Sequence, residues 1–489
     1  MRFSGSTKLP SSWRVRSIDD VCEQVTSGGT PSRRRPEFYE NGDFGWVKTK
    51  ELFDKWINDT EEYITSEAIK KSSAKLLPRN TVLLAMYGAT VGQLGILGTE
   101  MTCNQACCAL IVDSDQADFR FLFYQLLSNR QVIRSLSTGA AQQNLSASQI
   151  KQFEFGFPEI DEQRYIAQIL GGFDDKIDIN RQINQTLEQI AQAIFKSWFV
   201  DFEPVKAKQH VRAIGGNDEQ TERAARAVIA GAVNLDVIAT ATDLSALDQQ
   251  LIQALSEKHA YQTDAQREQL ATSASHFPDQ LVESELGLIP EGWEIRSLDK
   301  IADFLNGVAA QKFPAQDGQP NLPVIKIAEM RGGLSAKTGR ASRGVDTKYI
   351  ISNGDLLFSW SGSLLVRQWS LGEGLLNQHI FKVTSVEFPK WFYHQWICFH
   401  LKQFQQIAAD KAVTMGHIKR SHLSEAKTLV PNKRLISIGT DVLGTMFEQE
   451  LQGSLEKARL AGLRDLMLPK LLSGELDVSG ACRNAAEVP

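Results

Sequence analysis

Between about Ile160 and Val205 the apolar positions follow one helical rhythm. Ile169, Phe173, Ile183, Leu187, Ile190 and Ile194 recur at three- and four-residue steps, the period of a helix with one greasy stripe. Asp161, Glu162, Asp174, Asp175, Asn180 and Arg181 fall mostly off that stripe. At 1.5 Å per residue a helix of about 35 to 40 residues spans roughly 50 to 60 Å, more than the usual helix of one compact domain. A second stripe closes the chain between Ile436 and Leu476, marked by Leu443, Phe447, Leu451, Leu455, Leu463 and Leu466. Two such stripes are natural partners, and they predict an antiparallel coiled-coil spacer.

Outside the stripes the pattern breaks into short strands and turns, and it is written twice. Leu9-Pro10-Ser11-Ser12-Trp13-Arg14-Val15-Arg16-Ser17-Ile18-Asp19 aligns with Ile289-Pro290-Glu291-Gly292-Trp293-Glu294-Ile295-Arg296-Ser297-Leu298-Asp299. Further along, Trp46-Val47-Lys48 matches Val324-Ile325-Lys326, and Leu83 to Gly88 matches Leu357 to Gly362. Asn104-Gln105 matches Asn377-Gln378, and Phe157-Pro158 matches Val430-Pro431 just before each long helix. Ordered matches with a slowly drifting offset indicate a duplication. The expected fold is α+β: two tandem α/β domains separated by two long helices, in a pseudo-two-fold arrangement. The expected boundaries are 1–158 for the first domain, 159–205 for the central helix and 206–288 for a helical and loop connector. Residues 289–431 make the second domain, 432–476 the C-terminal helix and 477–489 a tail. Residues 206–275, rich in Ala, Gln and Asp, read as extra surface helices.

Composition adds little until the charge is divided. A chain of 489 residues with 42% hydrophobic content has ample material for several cores. Its net charge of −5 argues against nucleic acid as a partner, but the acid is local. Residues 158–288 carry 11 basic against 21 acidic side chains, while 1–157 carry 18 against 17 and 289–431 carry 17 against 12. The two domains are therefore neutral to basic, which permits DNA binding. Six scattered cysteines and the polar start MRFSGSTKLPSSW, with no transmembrane run, suit a cytoplasmic protein. Cys103, Cys107 and Cys108 lack zinc-ligand spacing, so no metal site is expected. A base-modifying enzyme needs an Asn/Asp-Pro-Pro-aromatic loop and a motor needs GxxxxGK[S/T]; neither string occurs. Glu67-Ala68-Ile69-Lys70 has a nuclease-like ExK form but lies in a solvated amphipathic stretch. The chain thus reads as a binder and positioner without a catalytic site of its own.

The strings PEIDEQRYIAQIL (Pro158–Leu170) and LEQIAQAIFKSWFVDFEPV (Leu187–Val205) bound the central helix. FPDQLVESELGLIPEGWE (Phe277–Glu294) opens the second half, and LRDLMLPKLLSGEL (Leu463–Leu476) closes the chain. With the tandem L/I-P-x-x-W repeat, these strings make the chain resemble the specificity subunit of type I restriction–modification enzymes. The resemblance implies two target-recognition domains, each reading one half of a split double-stranded DNA site. It also implies long helices that set their separation, two methyltransferase subunits docked along this scaffold, and two restriction (motor–nuclease) subunits that join for cleavage. S-adenosylmethionine, ATP and Mg are then expected on those partners and no cofactor on this chain. Independently, two similar readers on antiparallel helices share the symmetry of two half-sites about one turn, roughly 34 Å, apart. A coiled-coil adaptor joining two protein-binding modules, without DNA readout, fits the same outline.

Phosphate contacts call for Lys and Arg, and base reading for planar donors and acceptors on loops. Candidates in the first domain are Arg33, Arg34, Arg35, Lys48 and Lys50 for phosphates, with Tyr87, Gln93, Gln142, Gln143 and Asn144 for bases. Those in the second are Lys312, Lys326, Arg331, Lys337, Arg340 and Arg343, with Ser359, Trp360, Ser361, Arg367, Thr414, His417, Lys419 and Arg420. The loops at Gly139–Asn144 and Val413–His417 occupy equivalent places before each closing strand. Asn104-Gln105 and Asn377-Gln378, being common to both halves, read as a shared turn. Phe195, Trp198, Phe199 and Phe202 are candidates for a face that receives a methyltransferase subunit.

Overall fold

The computed structural model describes residues 9–138, 144–410 and 416–486. Contacts divide the chain into two compact units, Met1–Ile177 with Arg459–Pro489, and Asp178–Ala458. Each long helix therefore contributes to both units, because its two ends are buried against different lobes.

In the first unit the opening strand Arg14–Ser17 pairs antiparallel with Glu154–Phe157, so the two ends of the lobe are tied together. Between them lies a five-stranded sheet in the order Cys22–Ser27, Cys107–Val112, Val82–Ala85, Leu94–Leu97 and Lys55–Ile57. A smaller sheet pairs Phe44–Val47 in parallel with Thr102–Cys103. Trp13 packs edge-on against Phe121 at 6.2 Å, in a core that also takes Ile166 and Leu170 of the central helix and Leu468, Leu471 and Leu472 of the C-terminal one.

The second unit repeats the plan. Glu294–Ser297 pairs antiparallel with Lys427–Val430, and Asn321–Ile325 pairs in parallel with Gly374–Leu376. A four-stranded sheet runs Asp303–Asn306, Ile380–Thr384, Leu356–Ser359, Val366–Gln368. The repeated Asn-Gln pair is a turn in both lobes: Asn104 Oδ1 accepts from Ala106 N at 3.2 Å, and Asn377 Oδ1 from His379 N at 3.4 Å. A glycine presses on each turn. A Cβ on Gly28 would lie 2.2 Å from the Cys103 carbonyl oxygen, and one on Gly307 2.3 Å from that of Asn377, so neither position has room for a side chain.

The central helix runs Ile160–Phe195 and continues through a π-helical turn, Lys196–Val200. The C-terminal rod is Lys433–Gly439, a matching π turn Thr440–Gly444, then Thr445–Leu472. Within the second unit the two helices are antiparallel, since Asn180 Nδ2 donates to Glu456 and Asn184 Nδ2 donates to Ser454 Oγ and the Glu450 carbonyl, at 2.8 to 2.9 Å. In the first unit Arg464 bonds Asp174 at 2.6 Å. The middle of each helix thus meets its partner through polar groups. The buried face passes through Ala167, Leu170, Asn180, Ala191 and Phe195, rotated from the apolar stripe read in the sequence. Ile183 and Ile190 are 49% and 42% exposed and Leu466 is 60% exposed, which corrects that part of the expectation. Apolar periodicity marks which residues share a face but not whether that face is the one covered.

Glu450 sits on this seam. Burial, and then the like charge of Glu188, raises its carboxyl from 4.5 to about 7. A folded pKa above the unfolded one means stability that is complete below about pH 4.5 and lost as pH rises through about 7. The shift corresponds to about 3 kcal/mol, discounted by partial exposure to about 1–2 kcal/mol. Glu450→Gln is therefore expected to be more stable than the parent by that amount near about pH 8, and nearly equal near about pH 5. Denaturant midpoints at the two pH values check this, and equal midpoints at the higher pH would contradict it.

The segment after the central helix forms a small helical body with its own apolar core. Glu203–Ala213, Asp218–Ile229, Leu235–Ala239, Leu244–His259 and Asp264–Ser275 enclose Val211, Ala224, Val228, Leu247 and Leu251. Lys208, almost wholly buried, is held by Glu222 at 2.6 Å, Asp279 at 3.3 Å and the Phe277 carbonyl at 2.8 Å.

Candidate nucleic-acid interface

In both lobes the loop after a central strand is brought to the segment before the closing strand. Tyr87 bridges Asn144 in the first lobe, and Ser361 bridges His417 in the second. The backbone repeats in detail. Leu145 N donates to Met86 O at 2.9 Å as Ile418 N does to Trp360 O at 3.0 Å, and Met86 N reaches Ala106 O as Trp360 N reaches His379 O. Within each lobe the loop after the central strand is therefore bonded to the described residues just before the closing strand, by the same hydrogen bonds but with different side chains.

The first lobe offers there an exposed Tyr87 and Asn144 with a half-buried Gln93. Gln142 and Gln143 lie outside the described residues, as does Thr414. The bend at Tyr87 is held by arginines behind it: Arg130 Nε donates to Gly92 O and Arg134 Nε to Val91 O, each at 2.8 Å.

The second lobe has a ring cluster. Trp360 stacks on Phe381 at 5.9 Å, lies 5.6 Å from His379, and meets the exposed His417 edge-on at 6.3 Å. Its Nε1 donates to Asn306 Oδ1 at 2.8 Å, so the indole is a platform with its donor already engaged. Gln378 Nε2 lies 3.2 Å from His379 Nε2, and His379 Nδ1 lies 3.1 Å from Ser361 Oγ. With the amide donating, the imidazole carries its proton on Nδ1 and gives it to the serine. Lys419 and Arg420 are exposed beside it, Arg420 donating to Phe304 O at 3.0 Å and lying over the Phe381 ring. The sequence marks Gln378 only as part of a shared turn and gives no role to His379 or Asn306. The repeated Asn-Gln pair was the available signal, since the residue after that turn is delivered to the cluster.

Three groups of candidates are corrected. Ser359 is fully buried: its Oγ donates to Ser363 O and accepts from Leu365 N, so it shapes the loop and is out of reach of a base. Ser361 is buried too and orients His379. Arg367 is half-buried with Nη1 donating to the Met330 and Arg331 carbonyls, and burial lowers its pKa. Phe195, Trp198, Phe199 and Phe202 form no outward face. Phe199 lies within 5.8 to 6.2 Å of Trp293, Trp391 and Phe392, and Phe195 lies 5.1 Å from Trp396, all in the core of the second unit. An aromatic run at a helix end has the same sequence signature whether it meets its own lobe or another chain.

The cations also sort themselves. Arg33 and Lys48 both reach Glu62 at 2.5 Å, and the Lys48 hydrogen bond holds that carboxyl below its ordinary range. Lys50 pairs with Glu61, Arg35 with Glu37 at 2.8 Å, and Arg343 grips Glu373 with two bonds at 2.6 and 2.9 Å. Among the described residues Arg34, Lys312, Lys326, Arg331, Lys337, Arg340 and Lys419 are exposed without an ion-pair partner. The second lobe therefore holds most of the uncommitted positive charge. No cluster of three or more His, Cys, Asp or Glu that could hold a metal occurs among the described residues, and none of their helices is long and apolar enough to cross a membrane.

Two mixed lobes built on one repeated plan, with different side chains at the equivalent bridges, define a duplicated two-lobed protein. The comparisons with known proteins agree. A family model for the type I restriction modification DNA specificity domain matches residues 10–189. The HindI specificity subunit of Haemophilus influenzae is 30% identical over 377 residues, covering 73% of this chain and 77% of the relative. The MjaIX specificity subunit of Methanocaldococcus jannaschii is 24% identical over 96% of this chain and 95% of its own length. The crystal structure of the S subunit of a type I restriction–modification system from M. genitalium shares the fold, with a TM-score of 0.53 at 14% identity over 95% of this chain and 98% of that one. The chain belongs to the family of type I restriction enzyme specificity subunits, whose role is recognition of a DNA target.

Proposed function

We propose that each lobe reads one half of a split DNA sequence with its paired loops, and that the two long helices set the distance between the halves. The first reader corresponds to residues 1–158 and the second to 289–431. The observation that carries this reading is the equivalence of the Tyr87–Asn144 and Ser361–His417 bridges: one framework, two different sets of base-facing side chains. In the first lobe Tyr87, Gln93 and Asn144 face the bases. In the second His417, Lys419 and Arg420 do so around the Trp360 platform, while the unpaired cations engage phosphates. The chain does no chemistry itself; it positions methyltransferase subunits, and through them restriction subunits, which carry S-adenosylmethionine, ATP and Mg. Ile179, Ile183 and Ile190, an exposed apolar row on the central helix, take the place of the buried Phe195 group as the face offered to a methyltransferase subunit.

Selection from a pool of random duplexes by the full chain is expected to recover one sequence in two parts with an unread gap. His417→Ala should weaken discrimination at one part by about 1–3 kcal/mol, roughly 5- to 150-fold, and leave the other part unchanged. Recovery of a single uninterrupted sequence, or equal loss at both parts, would overturn the reading. Binding that ignores both sequence and added salt would favour a protein adaptor instead.

A further inference from the structure

Asn104 and Asn377 make the same turn in their lobes, and each is followed by a glutamine. The backbone around the two turns repeats bond for bond. Gly28 N donates to Cys107 O as Gly307 N does to Ile380 O, each at 3.1 Å. Gly29 N donates to Cys103 O at 2.9 Å as Val308 N does to Leu376 O at 3.0 Å. In this register Gln105 corresponds to Gln378, Thr30 to Ala309 and Ala106 to His379. The residue after each glutamine accepts through its carbonyl from Met86 N or Trp360 N, so each glutamine stands beside the loop of the candidate interface in its own lobe.

The neighbours of this common residue differ in a reciprocal way. In the first lobe the Thr30 hydroxyl donates to Gln105 Oε1. Gln105 is exposed, and nothing among the described residues bonds its Nε2. The second lobe has Ala309 in place of that threonine, whereas the first has Ala106 in place of His379. Gln378, half-buried, is held by its other end: its Nε2 lies 3.2 Å from His379 Nε2, and His379 Nδ1 lies 3.1 Å from Ser361 Oγ. One anchor occupies the carbonyl and leaves the amino group; the other occupies the amino group and leaves the carbonyl. An amide held at one end does not turn over to suit its partner, so it tells a donor from an acceptor. In the major groove an outward amino group fits an edge of acceptors, N7 and O6 of guanine foremost. An outward carbonyl needs an amino group, N6 of adenine or N4 of cytosine.

We propose that Gln105 and Gln378 each read one base of their half-site with opposite polarity, Gln105 as a donor set by Thr30 and Gln378 as an acceptor set by His379. This rests on the two-reader function proposed above. The two lobes then share a reader whose meaning is fixed by the residue that anchors it.

The test is selection of duplexes by the full chain, followed by affinity ratios between the selected duplex and its single-base variants. In Gln105→Glu the carboxylate still accepts from Thr30 but offers only an acceptor outward. One position of one half is expected to change from guanine to cytosine on the same strand, a reversal of about 5- to 150-fold, with every ratio in the other half unchanged. Gln378→Glu keeps an outward acceptor, so the preference for an amino-bearing base at one position of the other half should persist. Thr30→Val frees the Gln105 amide, and discrimination at the Gln105 position alone should relax while the melting temperature stays parental. Parental base ratios in Thr30→Val, with or without a lowered melting temperature, would assign the threonine to packing and overturn the proposal. Loss of the amino-base preference in Gln378→Glu would overturn it as well. If the parent recovers no split sequence, the two-reader function fails and the polarity assignment falls with it. If the parent recovers one and Gln105→Glu leaves every ratio unaltered, only the polarity assignment fails.

Discussion

Replacing Phe199 with alanine is expected to destabilise the second unit by about 3–5 kcal/mol, the usual cost of emptying a fully buried phenylalanine site. The ring is wholly buried at the point where the central helix, through its π turn, meets Trp293 at the start of the second lobe and Trp391 and Phe392 on its long helix. Five aromatic side chains, Phe195, Trp198, Trp293, Trp391 and Phe392, lose their shared neighbour, and rigid rings cannot collapse into the space left behind. Denaturant unfolding of the full chain should show an early transition in the variant, with Phe199→Leu falling between variant and parent. Had these rings been an external docking face, the same substitution would have left unfolding unchanged, and a shift below about 1 kcal/mol would return them to that role.

The fate of these rings shows where the sequence stopped being legible. Trp13 and Trp293, at corresponding places in the repeat, told where each lobe begins, and the structure pairs each opening strand with its closing strand in the same register. The duplicated Asn-Gln turn was equally plain, because a backbone turn needs the same side chain wherever it recurs. The loops at Asn144 and His417 were found from their position before the closing strand, and they are the loops that meet Tyr87 and Ser361. What periodicity could not supply was the direction of each face. Ile183 and Ile190 looked like seam residues and are exposed, while Asn180 and Asn184 hold the seam through hydrogen bonds that depend on the antiparallel register. Ser359 and Arg367 looked available for readout because their residue types suit it; Ser359 is bonded inside its own loop and Arg367 to the backbone of a distant one. Ion pairs such as Arg33 with Glu62 join residues far apart in sequence, so no local pattern reveals which cations are already neutralised.

The second large effect concerns specificity. Each lobe is closed by its own strand pair, Arg14–Ser17 with Glu154–Phe157 in the first and Glu294–Ser297 with Lys427–Val430 in the second. Residues 10–157 can therefore be exchanged at a natural seam for the corresponding lobe of another specificity subunit. Because each mismatched base pair costs about 1–3 kcal/mol and these costs add, a foreign first lobe should move binding by several orders of magnitude from the old half-sequence to a new one. The other half-sequence and the gap should stay as they were, since the second lobe and both long helices are retained.

Determining the full sequence bound by this exchanged chain, beside that of the parent, tests the central claim most directly. Two independent readers on a common spacer predict that one half changes while the other half and the gap persist. A change in both halves, or in the gap alone, would contradict them.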